Sequence, residues 1–305
     1  SLFAKQFSFL SFVLVFSYFV LFYDANVNSK YNSEEVNMMY SQKFIDNEFI
    51  FFSSTMKDGP GCPEIYQHPN PRKYIWPLRN YEIYSWDGDT VKQLTDAPGY
   101  NAETTTHPTE RKVIFTSMRE GDIDLYEMDY DGENVIQITT EYGYDGGAFY
   151  SPEGDRIVWR AWYPSTQEEK DQWKNNLTKK FIESVPLDIY VAKRNGSEKE
   201  RLTNNGATNW APSWHPDGKH IVFSSNMDDW RDDYNAYGSN FELYMINIKT
   251  KKLIRLTENS TFDSFPVFSK DGKKLAFSSN RDLSLIHISE PTRRYAISYA
   301  VFCLK

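Results

Sequence analysis

Residues 269–279 read Ser-Lys-Asp-Gly-Lys-Lys-Leu-Ala-Phe-Ser-Ser, a tight turn followed by a short strand. The turn recurs as Ser151-Pro-Glu-Gly154 and His215-Pro-Asp-Gly218, in which proline fixes φ and glycine accepts a positive φ. The strand recurs as Val113-Ile-Phe-Thr-Ser117 and Ile221-Val-Phe-Ser-Ser225, with the β-branched and aromatic residues that strands favour. A repeated turn-and-strand unit predicts a modular all-β fold.

Two further motifs recur in each unit, an acidic-aliphatic-Tyr triplet and a Leu/Ile-Thr pair. The triplets begin at Glu82, Asp124, Asp188 and Glu242, and the pairs begin at Leu94, Ile138, Leu202 and Leu256. Successive pairs begin 44, 64 and 54 positions apart. A base period of about 40–45 residues with four strand signals per unit is typical of propeller blades. We therefore predict a β-propeller of four-stranded antiparallel blades.

The repeat divides residues 44–282 into blades. The first blade is expected at residues 44–99, the second at 100–143, the third at 144–207 and the fourth at 208–261, and the fifth begins at residue 262. Long connections interrupt three of them, at residues 56–80, from residue 164, and at 228–240.

The connection in the third blade predicts a helix. Ser165-Thr-Gln-Glu168 fits a capping box, and Trp173, Leu177 and Phe181 repeat at four-residue spacing on one face. Pro186 ends the segment before the next strand. This helix is expected to pack its apolar face on the blade edge. The alternative is a ridge on which a partner docks.

Both ends of the sequence depart from the repeat. Residues 6–23 carry no charge and follow Lys5, which is the order of a secretory signal. Residues 1–25 are a predicted hydrophobic helix, either a cleaved signal peptide or a membrane anchor, and residues 26–43 a linker. Residues 283–305 resemble the translation of a sequencing adapter, which predicts a non-native tail. Either N-terminal alternative directs the repeats to an extracytoplasmic space, periplasmic or secreted.

Charge and motifs exclude several classes of function. A net charge of −8 without a basic stripe argues against nucleic acid as a partner. Outside the tail the one cysteine is Cys62, so no disulfide framework is predicted. The sequence has no Gly-x-Ser-x-Gly elbow, no His-Glu-x-x-His motif and no phosphate-binding loop, so no catalytic residue is predicted.

No cofactor and no metal site of recognised geometry is predicted. His107 and His215 occupy the first position of the blade turn, and no two histidines have metal-ligand spacing. Asp122 and Asp124 share one face of a strand start. The fourth-blade connection carries a second acidic group, Asp228, Asp229, Asp232 and Asp233. Oxygen-rich loops bind calcium, so calcium stays open there, with a solvated acidic surface as the competing interpretation.

One column of the aligned blades is always Asn or Asp. It contains Asn101, Asp145, Asn209 and Asp263. Since the first strand of a propeller blade is innermost, this column is expected at the mouth of the central channel. The residues are interpreted either as Asx turns that start each strand or as a polar ring that binds a protein or peptide partner. We expect Asp145 and Asp263 to be exposed.

Three further residues are predicted to contribute to a partner-binding surface at that rim. Glu103 would add charge, and Trp210 and Phe265 would add stacking surface. With the Asx column, these are the candidate site residues that the sequence offers.

The combined pattern of turn, strand, triplet and pair resembles the TolB-like propeller repeat over residues 44–282. The resemblance implies six blades, of which about four and a half are present, and a non-catalytic scaffold for protein–protein recognition. TolB itself carries an α/β domain ahead of its propeller, where this chain has only a linker. Similar repeats also cover the active sites of prolyl-oligopeptidase-type peptidases. The alternative is therefore a substrate-gating propeller of a hydrolase whose catalytic domain lies beyond residue 282.

Overall fold

The computed structural model describes residues 49–58, 75–229 and 240–279, together with two strands at residues 40–41 and 298–303. The predicted signal or anchor segment at residues 1–25 lies outside the described residues, as do Cys62, Asp232 and Asp233. Where the chain is described, no helix is both long enough and apolar enough to cross a membrane.

The described elements follow the predicted repeat. The first part contains β1 (Tyr40–Ser41), β2 (Ile50–Ser54), a short 3-10 helix (Met56–Asp58), β3 (Ile75–Pro77), β4 (Glu82–Trp86) and β5 (Val91–Gln93). Next come β6 (Asn101–Thr106), β7 (Lys112–Ser117), β8 (Asp124–Asp129) and β9 (Ile136–Gln137). They are followed by β10 (Tyr144–Tyr150), β11 (Arg156–Trp162), α1 (Gln167–Thr178), β12 (Phe181–Glu183), β13 (Asp188–Lys193) and β14 (Glu200–Arg201). The last part contains β15 (Asn209–Trp214), β16 (His220–Ser225), β17 (Glu242–Asn247), β18 (Leu253–Arg255), β19 (Asp263–Phe268), β20 (Lys274–Ser279) and β21 (Ser298–Cys303).

Nineteen of these strands form five antiparallel sheets, which we call blades 1 to 5, and β3 and β12 form a separate two-stranded sheet. The strand orders are β1-β2-β4-β5, β6-β7-β8-β9, β10-β11-β13-β14, β15-β16-β17-β18 and β19-β20-β21. The first strands of blades 2, 3, 4 and 5 contact one another in succession, which makes the first strand of each blade the innermost. Blade 1 begins at Tyr40 instead of residue 44, so its first strand falls in the segment predicted as a linker.

Each pair of neighbouring blades shares an apolar core. Between blades 1 and 2, Phe51 packs with Phe115, and between blades 3 and 4, Val158 packs with Phe223. Corresponding clusters join blades 2 and 3 and blades 4 and 5. A four-stranded meander cannot bury both of its faces alone, so each blade depends on its neighbours for stability.

The fifth blade ends the series. Within the described residues the sheets do not close into a ring, and the number of blades in the complete propeller stays a prediction. Strand β21 lies beside β20 in the place of a third strand, with Ser298 opposite Ser279. Because β21 belongs to residues 283–305, the adapter interpretation predicts that a non-native segment fills the open edge of the sheet.

The predicted helix in blade 3 is present, with two corrections. Its N-cap is Thr166, and the capping box joins Thr166 to Glu169, one residue later than the Ser165–Glu168 pair expected from the sequence. The helix ends before Phe181, because Lys180 adopts a left-handed conformation with φ 58°. Phe181 instead starts β12, which pairs with β3 in the long connection of blade 1.

Candidate functional site

All three long connections join the second strand of a blade to its third strand. Their described ends therefore lie on the side of the sheets where first and third strands begin, which we call the insert face. The opposite side, the turn face, carries the Ser/His-Pro-Asp-Gly turns between first and second strands. The Asx column opens the first strands, so it lies on the insert face, as the channel-mouth prediction requires.

The Asx column joins each blade to the one before it through the backbone. Each member donates its N–H to the carbonyl of the residue that precedes the third strand of the previous blade, at 2.9–3.0 Å. The four pairs are Asn101 with Tyr81, Asp145 with Ile123, Asn209 with Leu187, and Asp263 with Phe241. Inter-blade pairing thus starts at the same residue in four successive blades.

The side chains of the Asx column are buried, so the expectation of exposed Asp145 and Asp263 was wrong. All four have 0% exposure. Asn209 donates to the carbonyl of Leu187 at 2.8 Å, and Asp263 accepts from Asn259 at 2.8 Å. These bonds hold the connection between blades, which is the structural role that the Asx-turn interpretation describes.

Asp145 differs from the other members of the column in its hydrogen-bond donors. Its Oδ1 accepts from the indole of Trp159 at 2.5 Å and from the hydroxyl of Tyr163 at 2.6 Å. Its Oδ2 is buried without a hydrogen-bond partner. Burial raises the pKa of Asp145 to about 7. Burial and the neighbouring charge of Asp122 also raise the pKa of Asp124 to about 7.

The recurring triplet and pair form one hydrogen-bonded unit in each blade. In blade 3 the hydroxyl of Thr203 donates to Asp188 at 2.8 Å and accepts from the Ile189 N–H at 2.9 Å. The same two bonds recur at Thr95 with Glu82, at Thr139 with Asp124 and at Thr257 with Glu242. The acidic residue and the threonine therefore fix the third strand to the fourth, and both motifs are structural.

A bulge occurs at one position of the innermost strands of blades 2, 3, 4 and 5. The residue two places after each Asx adopts a positive φ, namely Glu103 (58°), Gly147 (62°), Ala211 (51°) and Phe265 (55°). The register shifts directly after these positions confirm a bulge. A left-handed conformation is unfavourable for residues with a Cβ, and such outliers concentrate at functional sites.

Glu103 and Trp210 belong to a chain of contacts along the innermost layer. Glu103 forms a buried ion pair with Arg160, whose guanidinium also lies 5.4 Å from the centre of the Trp210 ring. The Trp210 indole donates to Ser264 at 2.7 Å, and its ring lies 5.5 Å from that of Phe265. The structure thus brings the three rim residues into one network that crosses blades 2 to 5. Trp210 and Phe265 remain half-buried.

Sequence reasoning missed Arg160, which carries no motif signal and is nevertheless central to this network. It lies in β11 at the position that Thr116 occupies in β7 and Ser224 in β16, both small hydroxyl residues. That interruption of the repeat is the signal that could have identified it. A Cβ at Gly147 would lie 1.8 Å from Arg160 Nη1, so glycine makes room for the guanidinium.

The insert of blade 3 covers part of the insert face. Trp173 on α1 donates to Asp122 at 2.8 Å and packs against Trp162 with ring centres 5.8 Å apart. It belongs to a buried cluster that includes Tyr81, Tyr100 and Tyr144 from the inner ends of three blades. The helix therefore buries its apolar face on the sheets, as expected.

The turn face carries the histidines. His107 accepts from the Glu110 N–H at 2.9 Å, and its Nε2 lies 3.2 Å from the carbonyl oxygen of Gly154 in the next blade. His215 accepts from the Asp217 N–H at 3.1 Å, and its ring lies 4.5 Å from that of Phe268 in the next blade. Both histidines are turn residues, as predicted.

One group of metal-ligating side chains was also missed. Among the described residues, His215, Asp217 and His220 place donor atoms within 4.8 Å of one another, although no histidine pair was expected to come together. The described residues of the acidic group in blade 4 form hydrogen bonds and an ion pair within this chain. Asp228 accepts from Tyr244 at 2.7 Å and pairs with Arg255, and Asp229 accepts from the Asn240 N–H. Calcium binding at these residues stays a prediction.

Comparisons with known proteins agree with this architecture. Over 121 residues the chain is 29% identical to the Tol-Pal system protein TolB of Francisella tularensis subsp. holarctica, covering 39% of this chain and 24% of that protein. Over 205 residues it is 23% identical to TolB of Wolinella succinogenes, covering 66% of this chain and 41% of the relative. The chain thus spans between a quarter and two fifths of the length of these curated relatives. No protein-family model matches it.

A solved structure supports the same fold. The crystal structure of TolB from Acinetobacter baumannii matches with a TM-score of 0.52 at 15% identity, over 87% of this chain and 66% of that chain. At this identity the likeness concerns the fold alone. Together the relatives and the structural neighbour support a TolB-like β-propeller.

Proposed function

We propose that this chain is a non-catalytic, extracytoplasmic propeller scaffold that binds a protein or peptide partner on its insert face. The observation that carries the proposal is the half-buried aromatic pair Trp210 and Phe265, with rings 5.5 Å apart beside the innermost strands. Phe265 keeps an unfavourable positive φ of 55° in this position. Buried aromatic anchors within a polar surround are characteristic of protein interfaces.

The relatives support this proposal through their name, Tol-Pal system protein, which describes a component of a multiprotein system. The periplasmic or secreted location rests on the resemblance and on the predicted signal or anchor at residues 1–25. A membrane tether through that segment belongs to the same proposal. The propeller of a larger hydrolase remains the alternative, and peptidase activity of the full-length gene product would favour it.

Because the Asx column is buried, we assign partner binding to other residues. Asn101, Asp145, Asn209 and Asp263 stabilise the connections between blades, so we assign them to the support of the surface. Trp210 and Phe265 are the residues that reach a partner. Glu103 acts through Arg160, which holds the Trp210 ring.

Selection from a phage-displayed random peptide library tests the proposal. We expect peptides that bind the wild-type chain to lose at least about tenfold in affinity for the W210A/F265A variant, since aromatic anchors contribute about 2 kcal/mol or more. The matched control is I136A/I254A, which removes two exposed apolar side chains from the outermost strands of blades 2 and 4. Equal loss of affinity in both variants would contradict the assignment, and thermal melts would identify an unfolded variant.

A further inference from the structure

The turn of blade 4, His215-Pro-Asp-Gly-Lys-His220, gathers three metal-ligating side chains on the turn face. His215 Nδ1 lies 3.1 Å from Asp217 Oδ1, and His220 Nδ1 lies 2.7 Å from Asp217 Oδ2. Two imidazole nitrogens therefore approach the two oxygens of one carboxylate. This face is opposite to the proposed partner surface, so a site here is independent of the proposed function.

The repeat itself shows that the turn does not need these histidines. In blade 5 the corresponding residues are Ser269, Asp271 and Lys274. The Ser269 hydroxyl donates to Asp271 at 2.6 Å and accepts from the Lys274 N–H at 2.9 Å. Ser151 of blade 3 closes its turn with the same two kinds of bond. One hydroxyl side chain is enough to close the turn, so the fold of blade 4 does not require its two histidines.

The carboxylate between the histidines is fixed in place by the backbone and by the His220 ring. Its Oδ1 accepts from the N–H groups of Lys219 at 2.8 Å and His220 at 3.1 Å. Oδ2 accepts from the His220 ring at 2.7 Å and keeps its second lone pair for a metal ion.

Both rings are oriented yet accessible. The His215 ring packs on Phe268, and the Asn247 amide donates to Nε2 of His220 at 3.0 Å. These contacts fix the orientation of both rings. The side chains of His215, Asp217 and His220 are 23%, 33% and 28% exposed, so an ion reaches them from solvent.

We propose that His215, Asp217 and His220 bind one divalent transition-metal ion, with Zn²⁺ as the best fit. Two imidazole nitrogens and one carboxylate oxygen are a donor set that zinc accepts, with water in the fourth position. Calcium prefers six or more oxygen ligands and does not match it. Binding at Nδ1 of both rings replaces the His220–Asp217 hydrogen bond and the bond from the Asp217 N–H to His215. The His220 proton moves to Nε2, so the Asn247 amide that donates to Nε2 turns away. The ion ties the end of the first strand of blade 4 to the start of the second.

Calorimetric titration of the untagged full chain with ZnCl₂ and, separately, CaCl₂ tests the site. The comparison variant is H215S/H220K, which copies the turn of blade 5 and is therefore expected to fold. We expect one Zn²⁺ per wild-type chain, at least about tenfold weaker binding by the variant, and no detectable calcium binding at this site. Binding should weaken at pH 5, because protons compete for imidazole nitrogens.

Unchanged zinc affinity in H215S/H220K would overturn the proposal, because the ion would then bind elsewhere. So would a wild-type chain that takes up no Zn²⁺ at about 0.1 mM, a concentration well above that needed by three-ligand sites of useful affinity. The single variant H220K serves if the double variant melts early. A Co²⁺ absorption band characteristic of tetrahedral coordination in the wild type, absent from either variant, gives a second readout.

Discussion

Glu103 of blade 2 and Arg160 of blade 3 form an ion pair in which the residues are only 5% and 4% exposed. The Arg160 guanidinium also donates to the Tyr144 hydroxyl at 2.7 Å. Glu103 lies in a bulge with a φ of 58°, so an unfavourable backbone conformation and a buried charge occur at the same residue. The pair joins the innermost strand of blade 2 to the second strand of blade 3 and supports the ring of Trp210.

We expect E103Q to lower the free energy of unfolding by about 3–5 kcal/mol, because it removes the carboxylate that pairs with the buried Arg160 charge. R160M should cost a similar amount for the converse reason. The double variant E103Q/R160M should be more stable than the sum of the two losses predicts, since no unpaired charge remains. Urea denaturation of the four proteins measures the coupling. Additive losses would show that the two side chains do not interact.

A glycine contact on the turn face gives a second prediction. Gly154 and Gly218 occupy the same turn position in blades 3 and 4, with φ of 78° and 63°. A Cβ at Gly154 would lie 2.2 Å from Nε2 of His107, whereas a Cβ at Gly218 would meet nothing within 4 Å. We expect G218A to cost about 1–2 kcal/mol from the backbone alone, and G154A to cost at least about 1 kcal/mol more from steric overlap.

The shared turn position makes G218A the matched control, because both variants force alanine into a left-handed conformation. In an H107S background the excess loss of G154A should disappear, since serine leaves the space open. Thermal or urea unfolding reports the difference. Equal losses for G154A and G218A would mean that His107 does not pack against the turn of blade 3.

The Asx column shows which features of the fold could be predicted from the sequence and which could not. The recurrence of Asn101, Asp145 and Asn209 correctly indicated the start of the innermost strands, because periodicity reports the position of a residue in the repeat. It did not indicate burial, since a polar side chain is buried wherever neighbouring loops supply its hydrogen bonds. Those loops come from the preceding blade, and their geometry depends on the packing of blades, which sequence spacing does not contain.

The helix shows the same limit. Both Ser165–Glu168 and Thr166–Glu169 fit a capping box, and the helix uses the second, with Trp173 and Leu177 buried. Arg160 was not recognised because its partners lie in neighbouring blades. The His215–Asp217–His220 group was not recognised because the conformation of its turn, and not the sequence spacing, brings the donor atoms together. The fold class, by contrast, follows from the repeat.

Stability should depend on pH between about 4 and 7, because burial raises the pKa values of Asp124 and Asp145 to about 7 from an ordinary 3.8. A carboxyl group with a higher pKa in the folded state binds its proton more tightly when folded. Such a group therefore stabilises the folded state fully below pH 4, and this stabilisation is lost as the pH rises through 7. A tenfold change in proton affinity corresponds to about 1.4 kcal/mol, so we expect a loss on the order of 2–4 kcal/mol per group.

The variant D145N isolates this effect. Asparagine resembles the protonated acid and keeps an oxygen for Trp159 and Tyr163, so the variant should be more stable than the wild type at pH 8 and similar to it at pH 5. Comparing the two proteins at each pH cancels the contribution of His107, whose pKa burial lowers. Urea denaturation at both pH values provides the measurement. A pH-independent difference between the proteins would contradict a raised pKa.

The last prediction concerns the unit formed by the triplet and the pair. Thr203 donates to Asp188 and accepts from the Ile189 N–H, and the residue is only 7% exposed. T203V keeps the shape of the side chain and removes the hydroxyl, so a buried carboxyl and a backbone N–H lose their partner. We expect a loss of about 1–3 kcal/mol in the free energy of unfolding.

T203S is the control, because it keeps the hydroxyl and removes only a methyl group, which costs about 1 kcal/mol or less. Since the carboxyl of Asp188 already has a pKa raised by burial, losing its threonine donor in T203V should raise that pKa further. The deficit of T203V relative to T203S should therefore grow as the pH rises from 5 to 8. A larger loss in T203S than in T203V would show that the methyl packing, and not the hydroxyl, explains the recurrence of threonine in every pair.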